Sequence, residues 1–580
     1  MNILRTESAE IARKSAIVGA LIWFALLFFR IADSHETELI QKVLLFGTLV
    51  IVPLGLSLVK TPKRDGSQSV FYFLAVVFQP FAAAAALISF LLEPGLVAAS
   101  LAGCWLVLNV LIALFGVWRF LQRGLHPLEE FCLDAGLVYL PVGGIWFVTS
   151  RLGVQALGFG DTIILLTAVH FHFAGFAAPL LAGLTGRVLA RRKHPVILFR
   201  LAVAGIVVGI PIVAAGITLS PVLALMGAYV ISLALAFLCA LTIGWVLREL
   251  KSVLQQLLLT VSAVASLSAM GLACAYAYSI VTNTVIIDIP TMAMTHGLLN
   301  AFGFVTLALL VWSVIEPQAI APSPGIPFSK LPPLSFTGPN YFERVGAIGL
   351  AQTQPLGLID DFSSYQRIDF DAERVHPTVR SFYEETVRYK LVVRPHWQPF
   401  FKPGGRLAHW LGTRVGQLCL PVAGETADDR IESRLLPLAE EVDGRKAPRG
   451  WIRVYQSTGQ AMYVAAYSSH STEDNTYMNI AFPLPGGNLS SVLHMGASKS
   501  QQGQGVILST LPSVRLGGDQ GVYFANRILP FRLPMNETIT VWPPSENGEP
   551  ANAPVLKAKH EMWIFGINFL NLDYDIFGVR

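Results

Sequence analysis

Charge is scarce in this chain of 580 residues: Asp, Glu, Lys and Arg make up 14%, hydrophobic residues 53%, and mean hydropathy is +0.54. A water-soluble chain carries about a quarter charged residues to keep its surface wetted. A wholly soluble protein is therefore excluded, and much of the chain belongs in lipid. Cysteine is sparse as well. Cys104, Cys132, Cys239, Cys274 and Cys419 show no CxxC spacing, which excludes a zinc ribbon and gives no sign of a disulfide framework. Catalytic signatures are missing: there is no P-loop, no GxGxxG after a strand, no HExxH and no GxSxG. The missing ATP motif argues against a primary pump, and nothing in the pattern demands an enzyme.

The shortage of charge is uneven. Residues 1–316 hold 18 basic and 14 acidic side chains, whereas residues 317–580 hold 24 of each. The first part reads as membrane and the second as a soluble domain of zero formal net charge. Such a domain lacks the basic footprint that nucleic-acid binding needs. A spanning helix takes about 20 mostly apolar residues. Ten runs qualify, near 15–31, 43–59, 69–91, 95–118, 131–150, 162–184, 196–217, 222–246, 252–281 and 290–315. The first follows Arg5, Arg13 and Lys14 without a small-residue cleavage site, so it reads as a retained anchor. The fold expected for residues 1–316 is an all-α polytopic bundle of ten helices.

Loop charge gives the orientation. With the N-terminus inside, inner loops and helix ends take 15 Lys and Arg, among them Lys60, Arg119, Arg123, Arg187, Arg191 and Arg248. The outer side takes three, Arg30, Lys42 and Arg151. This positive-inside bias places both the N-terminus and the C-terminal domain in the cytoplasm. Residues 317–339 are proline-rich and read as a semi-rigid linker. Residues 340–580 read as α+β, with helices near 377–389 and 406–418. Short strands follow from Trp451 onward, forming a curved antiparallel sheet or open barrel with helices on one side. Folds of that kind often enclose an apolar ligand cavity.

Ionisable groups inside a bilayer are costly and point to function. The sixth run carries His170 and His172 and the tenth carries His296, all at one depth if both helices run from outside to inside; Asn300 follows His296 at i+4. Three readings fit: a proton or substrate site, a metal or haem site, and neutral imidazoles hydrogen-bonded between helices. Residues two apart on a regular helix point roughly 200° apart, so His170 and His172 share one ligand only if the helix unwinds near Gly175. The fifth run places Glu130 at its cytoplasmic mouth beside His126 and Glu129, with Asp134 on the same face as Glu130. Pro141, Gly143 and Gly144 then interrupt the run near mid-bilayer. A helix broken at that depth is how transporters expose backbone groups; a proline kink with interfacial acids in water is the plainer alternative. Gly205 and Gly209 form a GxxxG suited to close helix contact, and Gln79 beside Pro80 is a lone polar residue that needs a partner.

The pairing of His170-Phe-His172-Phe-Ala-Gly175-Phe176 with Thr295-His296-Gly297-Leu-Leu-Asn300-Ala-Phe-Gly303-Phe304 resembles the bacterial YndJ-like integral membrane family, as does the stretch Tyr139-Leu-Pro141-Val-Gly143-Gly144. The resemblance covers about residues 120–316. It implies a multi-pass protein of the bacterial inner membrane with a provisional transporter label and no known substrate. The expected function is a transporter-like membrane protein for a small solute or ion, with His170, His172, His296 and Asn300 as its intramembrane site. Two alternatives remain: a metal- or haem-binding membrane protein with a redox role, and a lipid-handling or sensory protein whose cytoplasmic domain binds a ligand. No cofactor is required by the first reading, and membrane lipids are the expected partners.

Overall fold

The computed structural model describes residues 8–32, 34–60, 68–191, 196–319, 325–349, 354–420, 431–472, 475–498, 505–511, 518–526, 530–544 and 553–579. The chain divides into two compact units, Met1–Ser323 and Pro324–Arg580.

The first unit is a helical bundle. It begins with α1 (Ser8–Leu26). Nine further helices among the described residues are long and apolar enough to cross a membrane: α2 (His35–Leu58), α3 (Val70–Phe90), α4 (Leu96–Arg123), α5 (Leu128–Leu152), α6 (Asp161–Ala190), α7 (Ile197–Leu219), α8 (Pro221–Glu249), α9 (Val253–Thr282) and α10 (Ile289–Ile315). The expected count of ten is therefore one too high. The exception is the first run, because Glu10, Arg13 and Lys14 sit within the 19 residues of α1 and shorten its apolar stretch. Even so, α1 packs in the bundle. Gly19 lies so close to α2 that a Cβ would fall on the Leu49 carbonyl, and Trp23 Nε1 donates to Lys42 O at 2.7 Å.

Local chemistry explains the turns of this bundle. α7 and α8 form a tight hairpin, with Pro221 opening α8 where its missing N–H has no partner to lose. Gly205 would bring a Cβ to 2.6 Å from Ala234 Cβ, so the GxxxG does make a close helix contact. α5 is a continuous helix from Leu128 to Leu152 with Pro141 inside it. The break expected at Pro141, Gly143 and Gly144 is absent. These glycines serve packing instead: a Cβ on Gly143 would lie 2.9 Å from His172 Nδ1, and one on Gly144 would lie 2.6 Å from Asn109 Nδ2. Irregularity appears elsewhere, as π-helical turns at Gly47–Ile51, Phe171–Ala177, Thr242–Val246, Ala293–Gly297 and Leu299–Thr306. Such wide turns occur mostly as short insertions and cluster at functional sites. Gln79 finds its partners at one of them, donating to Thr48 O at 3.1 Å and accepting from Ser15.

The second unit is a nearly closed antiparallel barrel. Its strands are β1 (Tyr389–Trp397), β2 (Ile431–Pro437), β3 (Arg449–Tyr455), β4 (Ala461–Ser471), β5 (Thr476–Leu484), β6 (Gly487–Ala497), β7 (Val506–Ser509), β8 (Gly521–Ala525), β9 (Pro530–Arg532), β10 (Met535–Trp542), β11 (Leu556–Ile564) and β12 (Ile567–Gly578). They pair in the order β1-β12-β11-β10-β7-β6-β5-β4-β3-β2, with β8 and β9 branching from β6. Alternation along the strands turns Trp451, Ala465, Tyr467, Met478, Ile480, Leu493, Met495, Leu508, Val541 and Ile576 to one core. The chain plugs that core itself. Phe362, Tyr365 and Phe370 join it together with Val379, Phe382 and Tyr383 of α11 (Pro377–Glu384). These side chains lie in the core where an apolar ligand of the barrel would otherwise sit.

A second helix, α12 (Lys402–Val415), lies outside the main core. Residues 325–339, from the proline-rich stretch, pack onto this unit: Ser329 Oγ donates to Asp443 Oδ2 at 2.8 Å, and Asn488 Nδ2 donates to the carbonyls of Ser329 and Leu331. Asp443 is held in turn by Arg445, at 2.6 and 2.9 Å.

Candidate functional site

Two polar layers lie among the apolar helices of the first unit: one is open, with His170 exposed and His296 and Asn300 half-buried, and the other is buried. The first contains the histidines. His170 ends the regular part of α6, and His296 sits in the wide turn at Ala293–Gly297 of α10. Their rings stack with centroids 6.2 Å apart and planes 24° apart, so the two helices do bring these residues together. Each Nδ1 lies 2.8 Å from a backbone carbonyl, Leu166 O for His170 and Ala269 O for His296. An Nδ1–H that donates there leaves Nε2 as the free lone pair of a neutral ring. Asn300 Nδ2 lies 3.2 Å from His296 Nε2 and 3.1 Å from His296 O, which places Asn300 in the same cluster. Nε2 of His170 has no hydrogen-bond partner among the described residues.

His172 points elsewhere, as its spacing from His170 demands. It is fully buried, with Nδ1 2.8 Å from Ala168 O and Nε2 accepting from Trp105 Nε1 at 2.8 Å. Both ring nitrogens are occupied, and the ring stacks on Trp105 and against Gly143. The three imidazoles therefore do not converge on one point. No group of three or more His, Cys, Asp and Glu side chains among the described residues is placed to hold a metal ion.

The second layer lies where α4, α5 and α6 meet the ends of α2 and α10. Its hub is Glu130, buried to 3% exposure. Glu130 accepts from Arg119 at 2.5 Å, from Arg123 at 3.0 Å, and from Arg187 through Nε at 2.7 Å and Nη2 at 3.0 Å. Asp134, one turn along α5, lies 2.7 Å from Arg119 Nε, though off line for a hydrogen bond. Glu129 is also buried, and its Oε1 has no hydrogen-bond partner. Three guanidinium groups thus share a buried layer with three carboxyl groups. The arginines also grip backbone: Arg119 donates to Val59 O at 2.6 Å, and Arg187 donates to Leu58 O at 3.0 Å and Pro317 O at 2.9 Å. Arg13 of α1 pairs with Glu316 just past α10, beside a cleft lined by Ser57, Lys60, Arg187 and Gln318.

Of the acids singled out from sequence, Glu130 and Asp134 are in a network rather than in interfacial water. Arg119, Arg123 and Arg187, which the charge count treats only as markers of the inner side, are their partners. A usable signal existed: Arg119 and Arg123 are one turn apart on one helix, and Glu130 and Asp134 are one turn apart on the next. Trp105, the partner of His172, carried no signal, because tryptophan is common in apolar helices.

With this geometry in view, comparison with known proteins is informative. Residues 42–304 match the family described as YndJ-like protein, which extends the resemblance read from residues 120–316 toward the N-terminus. The whole chain is similar to an uncharacterized membrane protein YndJ of Bacillus subtilis (strain 168), at 28% identity over 97% of this chain and 98% of that protein. No solved structure matches.

Proposed function

We propose, on the premise that this chain is a YndJ-like membrane protein, that it carries a small solute or ion across the bacterial inner membrane at a site made by His170, His296 and Asn300. The observation that carries the reading is the meeting of two imidazoles from α6 and α10, His170 beside one π-helical turn and His296 within another, with one ring nitrogen of His170 left without a hydrogen-bond partner among the described residues. A polar cluster of this kind in lipid is costly unless it is used, and wide turns offer carbonyl groups that a regular helix would hide. His172 acts as a packing residue that fixes α6 against α4 and α5, rather than as a ligand.

The orientation in this reading follows the loop charges. Arg119, Arg123 and Arg187 still lie at the ends of helices that the other basic residues assign to the cytoplasmic face, so the second unit is cytoplasmic. The ion network around Glu130 then closes the inner end of the bundle.

Purified protein in sealed vesicles, with a pH-sensitive dye inside and a potassium gradient clamped by valinomycin, tests the site. Wild type is expected to dissipate the proton gradient or to pass one of Na⁺, K⁺ or Cl⁻. The His170→Ala, His296→Ala double variant is expected to lose at least about tenfold in rate, as removal of a positioned proton carrier or ligand does. A monodisperse double variant with unchanged flux would show that the histidines are not the site. Wild-type vesicles no leakier than empty ones to all four ions would exclude ion transport.

A further inference from the structure

The second unit carries an apolar surface that its own fold leaves uncovered. α12 faces the barrel with glycine: a Cβ on Gly405 would lie 2.7 Å from the Trp397 ring, and one on Gly412 would lie 2.9 Å from Gln417 O. With its small residues inward, the helix turns its large ones out. Leu407, Trp410 and Leu411 are 57%, 47% and 47% exposed, the reverse of the usual arrangement for a surface helix. Phe400, in the turn that leads into α12, is 87% exposed. The β11–β12 hairpin tip adds Phe565 and Ile567, also exposed. This tip is on the same side, since Phe401 packs on Phe569 and Gln398 bonds both Phe569 O and Asn568. Phe565 has φ of 51°, a left-handed conformation that favours Gly or Asn, so an exposed aromatic ring is held there at a cost.

The segment that carries α12 is basic, although Arg388 pairs with Glu385 and Arg394 with Asp575. From Thr386 to Gly424 there are six basic residues, Arg388, Lys390, Arg394, Lys402, Arg406 and Arg414, and no acidic residue. The unit as a whole is neutral, so the bias is local. Lys402, Arg406 and Arg414 form no ion pair among the described residues; Arg414 lies over the Trp410 ring at 3.9 Å. Apolar and aromatic side chains on the outward face, flanked by unpaired cations, match the side-chain chemistry of helices that lie in a bilayer interface. A bilayer is also within reach. α10 ends at Ile315 and Ser329 is bonded to the second unit, so the chain between them spans at most about 50 Å when fully extended.

We propose that α12, the turn before it and the β11–β12 hairpin tip form a docking surface for an anionic lipid bilayer. The aromatic and aliphatic side chains enter the interface, and Lys402, Arg406 and Arg414 meet lipid phosphates. The cation contribution is electrostatic, roughly fivefold in attachment per residue near the surface, and is screened by salt.

The test uses the full chain in nanodiscs, one protein per disc, with hydrogen exchange read on peptides covering 399–415 and 562–570. In discs containing phosphatidylglycerol these peptides are expected to exchange at least about tenfold more slowly than in pure phosphatidylcholine discs, with the difference reduced at high salt. A Leu407→Asp, Leu411→Asp variant is expected to lose the protection while β4–β6 peptides stay unchanged, which shows that the barrel remains folded. Equal exchange in both disc types, with no effect of the variant, would overturn the proposal. Protection that persists in lipid-free detergent together with a dimeric mass would also overturn it, by assigning the surface to a second copy of the chain.

Discussion

Glu130 accepts hydrogen bonds from three buried arginines, so its removal leaves three guanidinium groups without their shared acceptor. Breaking a buried ion network by deleting one partner costs about 3–5 kcal/mol. Glu130→Ala is therefore expected to lower the thermal midpoint of the purified protein sharply. Arg123→Ala, which removes the contact to Glu130 at 3.0 Å, is expected to lower it as well. At the other layer, Gly143→Ala forces a methyl group against His172 Nδ1 and is expected to destabilise. Gly103→Ala meets nothing within 4 Å and is expected to be silent in the same melt. In the barrel, burial pushes the His494 imidazole down to about 4 from 6.5, and the nearby Arg367 adds to the shift while Asp369 opposes it. A base with a depressed folded pKa binds fewer protons folded than unfolded between those values. Its contribution to stability is present above about pH 6.5 and is lost as the pH falls toward 4. His494→Gln is expected to flatten that part of the profile, read as exchange of β6 peptides at successive pH values.

Among the elements, apolar length was the readable signal, and nine of the ten runs correspond to helices that satisfy it. The tenth, α1, failed because its charges fall within its first two turns. Pro141 was misread for a physical reason. Proline removes one N–H and crowds the preceding turn, but α5 runs continuously through it, and only tertiary contacts decide that outcome. Pro141→Ala is accordingly expected to leave the thermal midpoint no lower than wild type, whereas a functional break would be disturbed by restoring the N–H. The π-helical turns were invisible because they arise where a wide turn meets a neighbour, as at Thr48 and Gln79. Strands β3 to β7 were legible from alternation and turn residues. β1, β2 and β8 were not, since charged or short segments such as Tyr389–Trp397 show alternation too weak to stand out.

For the whole molecule, sign and position of charge settle more than their number. Arg119, Arg123 and Arg187 counted toward the inner side, yet their side chains turn into the bundle, and the positive-inside count cannot tell a snorkelling arginine from a paired one. Removing them from the count leaves the asymmetry strong, so a green fluorescent protein fused after the last residue is expected to fluoresce, as it does only when it folds in the cytoplasm. A periplasmic reporter active at the same position would reverse the topology and with it the assignment of the lipid-docking face. The long-range contacts also set an order of assembly. Arg187 waits for the carbonyl of Pro317, 130 residues later, and Arg13 waits for Glu316, 303 residues later. At about 5–20 residues per second of synthesis, Arg13 lacks Glu316 for roughly 15–60 s after it emerges. The bundle can lock that end only when the last helix has been delivered, so a ribosome that stalls before Glu316 leaves Arg13 without its acceptor.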